Sequence, residues 1–215
     1  ASNIDNVMIM ASATQPDYDT ELIDKFLITA KLNNLDICIC MNKVDLDPDE
    51  QFMKDLKIYQ KYDLQLFRIS LKNNQNVDEL INYLIGKESL LIGQSGVGKF
   101  TFINYLFNEQ VQKFNQLSEI KNKGMHTTTF VRMFDYNGKF KIIDAPGINE
   151  FDIWGLEQRD LKFYYEEFSA YQEKCEFSNC THTHEPNCAV IQAVQSGKIP
   201  YSRYKNYYNI YKSLE

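Results

Sequence analysis

The stretch GQSGVGKFT, Gly93 to Thr101, satisfies the phosphate-loop pattern G-x-x-x-x-G-K-[ST] through Lys99 and then departs from it, because Phe100 stands where Ser or Thr belongs. An apolar run, SLLI, leads into it and a helical pattern, KFTFINYLF, leads out, which is the strand-loop-helix setting that such a loop needs. Gly93, Gly96 and Gly98 let the backbone approach phosphate oxygens. The successive N–H groups of Gln94, Ser95, Val97, Phe100 and Thr101 and the opening of the helix supply partial positive charge. Lys99 is the residue expected to reach the β- and γ-phosphates.

Upstream, MNKVDL ends another apolar run and supplies Asn42, Lys43 and Asp45, the N-K-x-D pattern of guanine-nucleotide proteins. The Asp45 carboxylate can accept both N1–H and N2–H of guanine, a pairing adenine cannot offer, and an unpaired carboxylate there costs a few kcal/mol. ISLKN follows the next strand-like run, and its Ser70 and Leu71 fit the short loop on the guanine side. Downstream, DAPG places Asp144 and Gly147 after a strand, where the Asp orients Mg²⁺ through water and the Gly N–H meets the γ-phosphate. GMHTTT lies between, and the hydroxyls of Thr127 and Thr128 are candidates to reach the metal and the γ-phosphate. An ordinary small GTPase carries these motifs in the order phosphate loop, Thr, D-x-x-G, N-K-x-D, S-A-K. Here N-K-x-D and S-L-K come first, so the chain reads as a circular permutation, with residues 76–89 joining the old termini.

The surrounding rhythm agrees with an α/β fold, a mostly parallel sheet with helices on both faces. Strands are predicted at Val7–Ala11, Ile37–Met41, Leu64–Ile69 and Leu90–Ile92, with amphipathic stretches near 19–33, 49–61 and 76–85. Thr127–Tyr136 and Lys139–Ile143 flank Asn137-Gly138, a type I′ hairpin signal that brings in an antiparallel pair. After Gly147 the reading is helical and aromatic to about Tyr171, and Gly197 is expected to close a later helix as its C′ residue. A G domain over 1–150 and a small helical zinc-binding domain over 151–215 follow from this division.

The zinc expectation rests on CEFSNCTHTHEPNC. Its C-x4-C-x-H-x5-C spacing offers Cys175, Cys180, His182 and Cys188 as a closed tetrahedral set, structural rather than catalytic, with His184 left toward solvent. Five cysteines are an odd number, and this clustering favours thiols and a metal over disulfides. In 215 residues, 44% of them hydrophobic, there is material for one full core and a satellite. No run of eighteen apolar residues occurs and the first residues carry no basic, cleavable leader pattern, so a cytoplasmic protein with no membrane partner is expected.

The net charge of −6 lies wholly in residues 1–88, with nine Lys/Arg against fifteen Asp/Glu, which discourages nucleic-acid binding there. Segment 112–141 has six basic and two acidic residues, and 198–215 has four and one. Either could touch phosphate backbones, although solvated charge is the commoner explanation. Tyr201, Tyr204, Tyr207, Tyr208 and Tyr211 recur at helical spacing beside Arg203, Lys205 and Lys212, and such a stripe is more often core than a base-stacking platform.

Taken together, the permuted order, NIDNVMIM, GQSGVGK, HTTT, DAPG, C-x4-C-x-H-x-x-EP-x-CAV and GKIPYSRYKNYYNIY resemble the ribosome small subunit-dependent GTPase A family over essentially the whole chain. The resemblance implies a monomeric GTPase of late small-subunit maturation. It would bind GTP or GDP with magnesium, meet the small ribosomal subunit and its rRNA near the decoding region, and leave after subunit-stimulated hydrolysis. Family members usually begin with an RNA-binding OB-fold domain, absent here, so the chain is expected to be a portion of a longer protein. Ile148 occupies the position where many GTPases carry a water-orienting Gln, and His126 matches the family histidine given that role, so catalysis is expected to involve His126, Lys99, Asp144 and Gly147. Two departures stand out. Met125 replaces a frequent basic residue, and Phe100 replaces the Ser whose hydroxyl holds Mg²⁺. The second leaves open a guanine-nucleotide-binding protein that no longer hydrolyses.

Overall fold

The computed structural model describes residues 4–47, 49, 51–57, 59, 62, 64–107, 131–144 and 153–214. The expected positions His126, Thr127, Thr128 and Gly147 lie outside the described residues, as do Met125 and Ile148. These residues fall into two compact units, one within Ala1–Tyr18 and Leu35–Glu150, the other within Asp19–Asn34 and Phe151–Glu215.

Among the described residues, the first unit is built on a six-stranded sheet. Its strands are β1 (Asn6–Ser12), β2 (Asp36–Asn42), β3 (Gln65–Arg68), β4 (Glu88–Ile92), β5 (Arg132–Asp135) and β6 (Lys141–Asp144), arranged β3-β2-β1-β4-β6-β5. All pairings are parallel except β5 with β6. β1 is buried at every position, as expected of a strand covered on both sides, and its NVMIMAS sequence shows no polar alternation. Met8, Met10, Cys38, Cys40, Phe67, Leu91 and Ile142 share one face of the sheet. Against them pack Val77, Leu80 and Leu84 of α3 (Val77–Leu84) and Phe102, Ile103 and Leu106 of α4 (Lys99–Phe107). Between β2 and β3 lies α2 (Gln51–Leu56), shorter than the amphipathic stretch predicted for it.

The hairpin forms at the expected turn. Asn137 and Gly138 both have positive φ, 53° and 69°, and Lys139 N–H donates to Tyr136 C=O at 2.9 Å. Because β1 and β4 are neighbours while their crossovers run to opposite sides of the strand order, the order reverses between them. Their carboxyl ends therefore flank the crevice where ligands bind in open α/β sheets.

In the second unit, helix α1 (Thr20–Leu32), capped by the Asp19 carboxylate on Glu21 and Leu22 N–H, joins α5 (Ser169–Gln172), α6 (Ala189–Gln195) and α7 (Tyr201–Ser213). This unit draws on two stretches of sequence, Asp19–Asn34 and Phe151–Glu215. The aromatic stretch expected to be helical instead forms 3₁₀ turns at Gln158–Tyr164 and Glu166–Phe168, interrupted at Tyr165, whose backbone (φ −105°, ψ 89°) is not helical. That break aims Tyr165 and Phe168 together at Tyr207, with ring centroids 5.2 and 4.9 Å from it, and lets all three rings bury. Gly197, with φ of 71°, follows α6 as its left-handed closing residue.

Candidate functional site

Three loops meet at the carboxyl ends of β2, β3 and β4, and a single buried side chain ties them. Asn42, the last residue of β2, donates through Nδ2 to Val97 C=O at 2.9 Å and accepts at Oδ1 from Leu71 N–H at 3.3 Å. The N-K-x-D, phosphate-loop and S-L-K segments, spread over more than fifty residues of sequence, are thus one hydrogen-bonded body. Gly98 is the counterpart of this contact. Its φ is 112°, and a Cβ there would sit 2.3 Å from Asn42 Nδ2, so the pairing of Asn42 with the loop excludes any side chain at 98. Gly93 is under the same pressure from β1, since a Cβ would lie 2.0 Å from Met10 C=O.

On the guanine side, Ser70 Oγ donates to Asp45 Oδ1 at 2.6 Å and accepts from Asn73 N–H at 3.1 Å, which holds one carboxylate oxygen and leaves the other to be matched. Ser70 is fully buried and bridged to Gln75 through both backbone groups, so the carboxylate is aimed from a fixed base. Lys43 has a left-handed backbone, φ 61°, and its ammonium donates to Gln15 C=O.

On the phosphate side, Lys99 Nζ donates to Gly93 and Gln94 C=O at 2.6 and 2.7 Å. Burial lowers its pKa and the Asp144 charge works against that loss. The Asp144 carboxyl is pushed upward by burial, opposed by Lys99 and Arg132, and its Oδ1 is buried with no hydrogen-bond partner among the described residues. A buried carboxylate oxygen left unpaired beside a phosphate loop fits a hydrated divalent cation. Position 100 does not add to that fit, since Phe100 is 48% exposed and offers no oxygen. Thr101, also exposed, is the next hydroxyl along α4. Of the remaining loop residues, Val97 is buried, whereas Ser95 and Gly96 face solvent.

The second unit carries the metal-ligand cluster. One ligand atom each from Cys175, Cys180, His182 and Cys188 lie within 4.8 Å of one another. His182 Nδ1 is 3.3 Å from Cys188 Sγ and 3.6 Å from Cys175 Sγ, and the two sulfurs are 3.9 Å apart. A zinc tetrahedron with bonds of about 2.0–2.3 Å has edges of roughly 3.5–3.8 Å, so the donor set fits zinc. Burial, with Lys162 adding to it, lowers the His182 pKa to about 4, keeping the ring neutral as a ligand must be. The ligand backbone is pinned from outside. Tyr204 and Tyr207 donate to His182 and Thr181 C=O at 2.8 and 2.5 Å, and Lys162 donates to Cys180 C=O at 3.0 Å. His184 stays exposed, as the spacing implied.

Two features escaped the sequence reading. Arg203, grouped there with the tyrosine stripe, is buried between Asp24 and Glu167. It is paired to Asp24 through Nη1 and to Glu167 through Nε at 2.7 Å, with its guanidinium 4.5 Å from the Tyr165 ring centre. It is not a surface cation, and the stripe is split, Tyr207 buried and Tyr201 exposed. The second is Ala13–Pro16, which is hydrogen-bonded to the N-K-x-D segment, lies near Gly96 of the phosphate loop and carries no recognisable pattern.

A family model described as RsgA GTPase matches residues 1–154. "Small ribosomal subunit biogenesis GTPase RsgA" of Chlorobaculum parvum is 38% identical over 215 residues, which is 100% of this chain and 69% of that protein. The protein of the same name from Phocaeicola vulgatus is 39% identical over 218 residues, 100% of this chain and 70% of its own. Among solved structures, YjeQ from Thermotoga maritima superposes with a TM-score of 0.75 at 32% identity, over 99% of this chain and 72% of that one. YloQ, described as a circularly permuted GTPase, shares the fold with a TM-score of 0.73 at 24% identity, over 99% and 68%. Permuted motif order, the matching sheet and relatives along its whole length agree, and the chain belongs to the RsgA GTPase family.

Proposed function

We propose that this protein binds guanine nucleotide at the junction of the three loops and hydrolyses GTP as a cytoplasmic, monomeric factor in late maturation of the small (30S) ribosomal subunit. Turnover is stimulated by the subunit, which the protein meets through rRNA. The observation that carries the reading is the Asn42 bridge, because it joins residues suited to guanine, ribose-side and phosphate contacts into one body. The names of the relatives support the GTPase activity and the subunit.

In this reading Asp45, oriented by Ser70, accepts from guanine, and the N–H groups of Gly93 to Thr101 surround the phosphates. Lys99 turns from the Gly93 and Gln94 carbonyls to the β- and γ-phosphates. Magnesium bound with the nucleotide supplies charge neutralisation on the β- and γ-oxygens, and Asp144 is the residue that would hold it through water. Gly147 N–H meets the γ-phosphate, and Thr127 and Thr128 close over it. His126 orients the attacking water, the task for which Ile148 has no polar group. Zinc, held by Cys175, Cys180, His182 and Cys188, is structural and fixes the second unit.

GTP turnover with and without small subunits across a magnesium titration tests this reading. Wild type is expected to hydrolyse slowly alone and faster with subunits, Phe100→Ser to need less magnesium, and His126→Ala to keep GTP binding while losing the stimulated rate. Phe100 also supports a second reading, a nucleotide-dependent subunit-binding module without hydrolysis. No turnover in wild type under any condition, with restoration by Phe100→Ser, would establish that second reading.

A further inference from the structure

The crevice at the reversal of strand order is bordered by β1 and β4, yet only the loop after β4 carries a recognisable nucleotide motif. The loop after β1 is not idle. Ser12 is paired across to Asn42 in the sheet, and directly beyond it Ala13 N–H donates to Asn42 C=O at 2.9 Å. Ser12 Oγ donates to Thr14 C=O, which folds the chain back on itself. Gln15 then presents its carbonyl to the Lys43 ammonium, and the Pro16 ring borders Gly96, where an added Cβ would come 3.5 Å from Pro16 Cδ. Within four residues the segment meets the guanine motif twice and turns the Pro16 ring toward Gly96 of the phosphate loop.

Two residues in this contact have strained backbones. Gln15 and Lys43 are both non-glycine residues at positive φ, 49° and 61°, and they meet each other through the carbonyl and the ammonium. Such conformations persist only where surrounding contacts over-determine them. A lysine carries a flexible four-carbon stem with a strongly hydrated charge at its tip. Tethering that tip to a backbone carbonyl fixes where the stem runs, so ordering that would otherwise accompany ligand binding is already done.

We propose that Ala13–Pro16 is a positioning strap of the nucleotide site. The Gln15 carbonyl pre-orders Lys43, the Pro16 ring backs the phosphate loop at Gly96, and the strap thereby slows release of guanine nucleotide. The proposal rests on the guanine-nucleotide reading above. The strap makes no demand on the identity of side chain 15, because a main-chain oxygen does the work. Residue 16 and Lys43 are where it is tested.

GDP release from the full chain, followed with a fluorescent GDP analogue, is expected to quicken about threefold to tenfold in Pro16→Gly, the range that ordering one long side chain is worth. KM for GTP rises by a similar factor while kcat at saturation moves less. In a Lys43→Met background, the same Pro16→Gly change should alter release less than twofold, and Lys43→Arg, which keeps a cationic donor, should restore most of the sensitivity. A merely destabilised loop would quicken release equally in both backgrounds. Equal effects, or release within twofold of wild type in Pro16→Gly, would overturn the strap. If wild type bound no GDP, the guanine-nucleotide reading would fall first, and the strap with it.

Discussion

The two units are held in opposite ways. In the nucleotide unit, polar groups are gathered at loop ends by long-range contacts such as Asn42 to Val97 and Leu71, and a buried carboxylate oxygen, Asp144 Oδ1, has no hydrogen-bond partner among the described residues. In the second unit, charge is consumed internally. Arg203 neutralises against Asp24 and Glu167, and the Cys/His donors face one another. A site suited to a charged ligand keeps charged groups in reserve, whereas a buried ion pair spends its charges on itself.

The comparison breaks most severely at the clasp. Cys180→Ser, or chelation of the wild type, is expected to unfold the second unit, because structural zinc contributes on the order of 10 kcal/mol to small domains that depend on it. Loss of α7 helicity by circular dichroism and loss of one equivalent of zinc should coincide, and a folded, zinc-free second unit would refute the structural role. Next in size is Arg203→Met. It leaves Asp24 and Glu167 buried without their cation, a loss of about 3–5 kcal/mol that denaturant titration should register. An effect below about 1 kcal/mol would mean that the three charges are not jointly buried.

In the nucleotide unit, Asn42→Ala strips a partner from Val97 C=O and Leu71 N–H together. GDP affinity should fall tenfold or more, corresponding to about 1.4 kcal/mol. Isothermal titration calorimetry with GDP decides this, and unchanged affinity would mean that the three loops align without the bridge.

The smallest expected effect uses acid to set the units against each other. Burial would raise the Glu185 pKa, but hydrogen bonds from Thr181 and the neighbouring N–H groups outweigh it and hold the carboxyl at about 2. A depressed acid stabilises fully above its unfolded pKa of about 4.3, and that contribution fades as pH falls toward 2. Asp144 has the reverse sign. Its raised folded pKa makes it a cost at neutral pH that protonation relieves, so its contribution improves as pH falls. Hydrogen exchange between pH 6 and pH 3, corrected for intrinsic rates, should show Thr181 and Thr183 losing protection, by a smaller factor in Glu185→Gln, since protonation of the Cys/His ligands loosens the cluster in both. The amides around Asp144 should not follow that course.

Both sites were legible in the sequence to the extent that their chemistry is local. A phosphate loop needs nine consecutive residues in one backbone path, and a Cys/His clasp needs four donors within fourteen, so spacing alone specifies them. The parallel strands and the Asn137-Gly138 hairpin were legible for the same reason. Arg203 was not, because its partners lie 179 and 36 residues away and a basic residue beside tyrosines looks the same whether it faces RNA or a buried carboxylate. Helix α1 was readable as a helix from the amphipathic stretch near 19–33, but its allegiance is decided by the same distant pair. The 3₁₀ turns of 158–168 were missed because aromatic spacing suits either helix type and only the demands of packing around Tyr207 choose between them.

The discontinuity of the second unit has a consequence in time. Asp24 is translated 179 residues before Arg203, and at about 5–20 residues per second the interval is roughly 10–35 s. Throughout that interval the nascent α1 exists without its ionic partner, and Asp24 is a hydrated charge among Ile23, Phe26 and Leu27. The sheet strands on either side of α1 can pair long before the helix has anywhere to go, so the second unit can close only as the last helix leaves the synthesising ribosome.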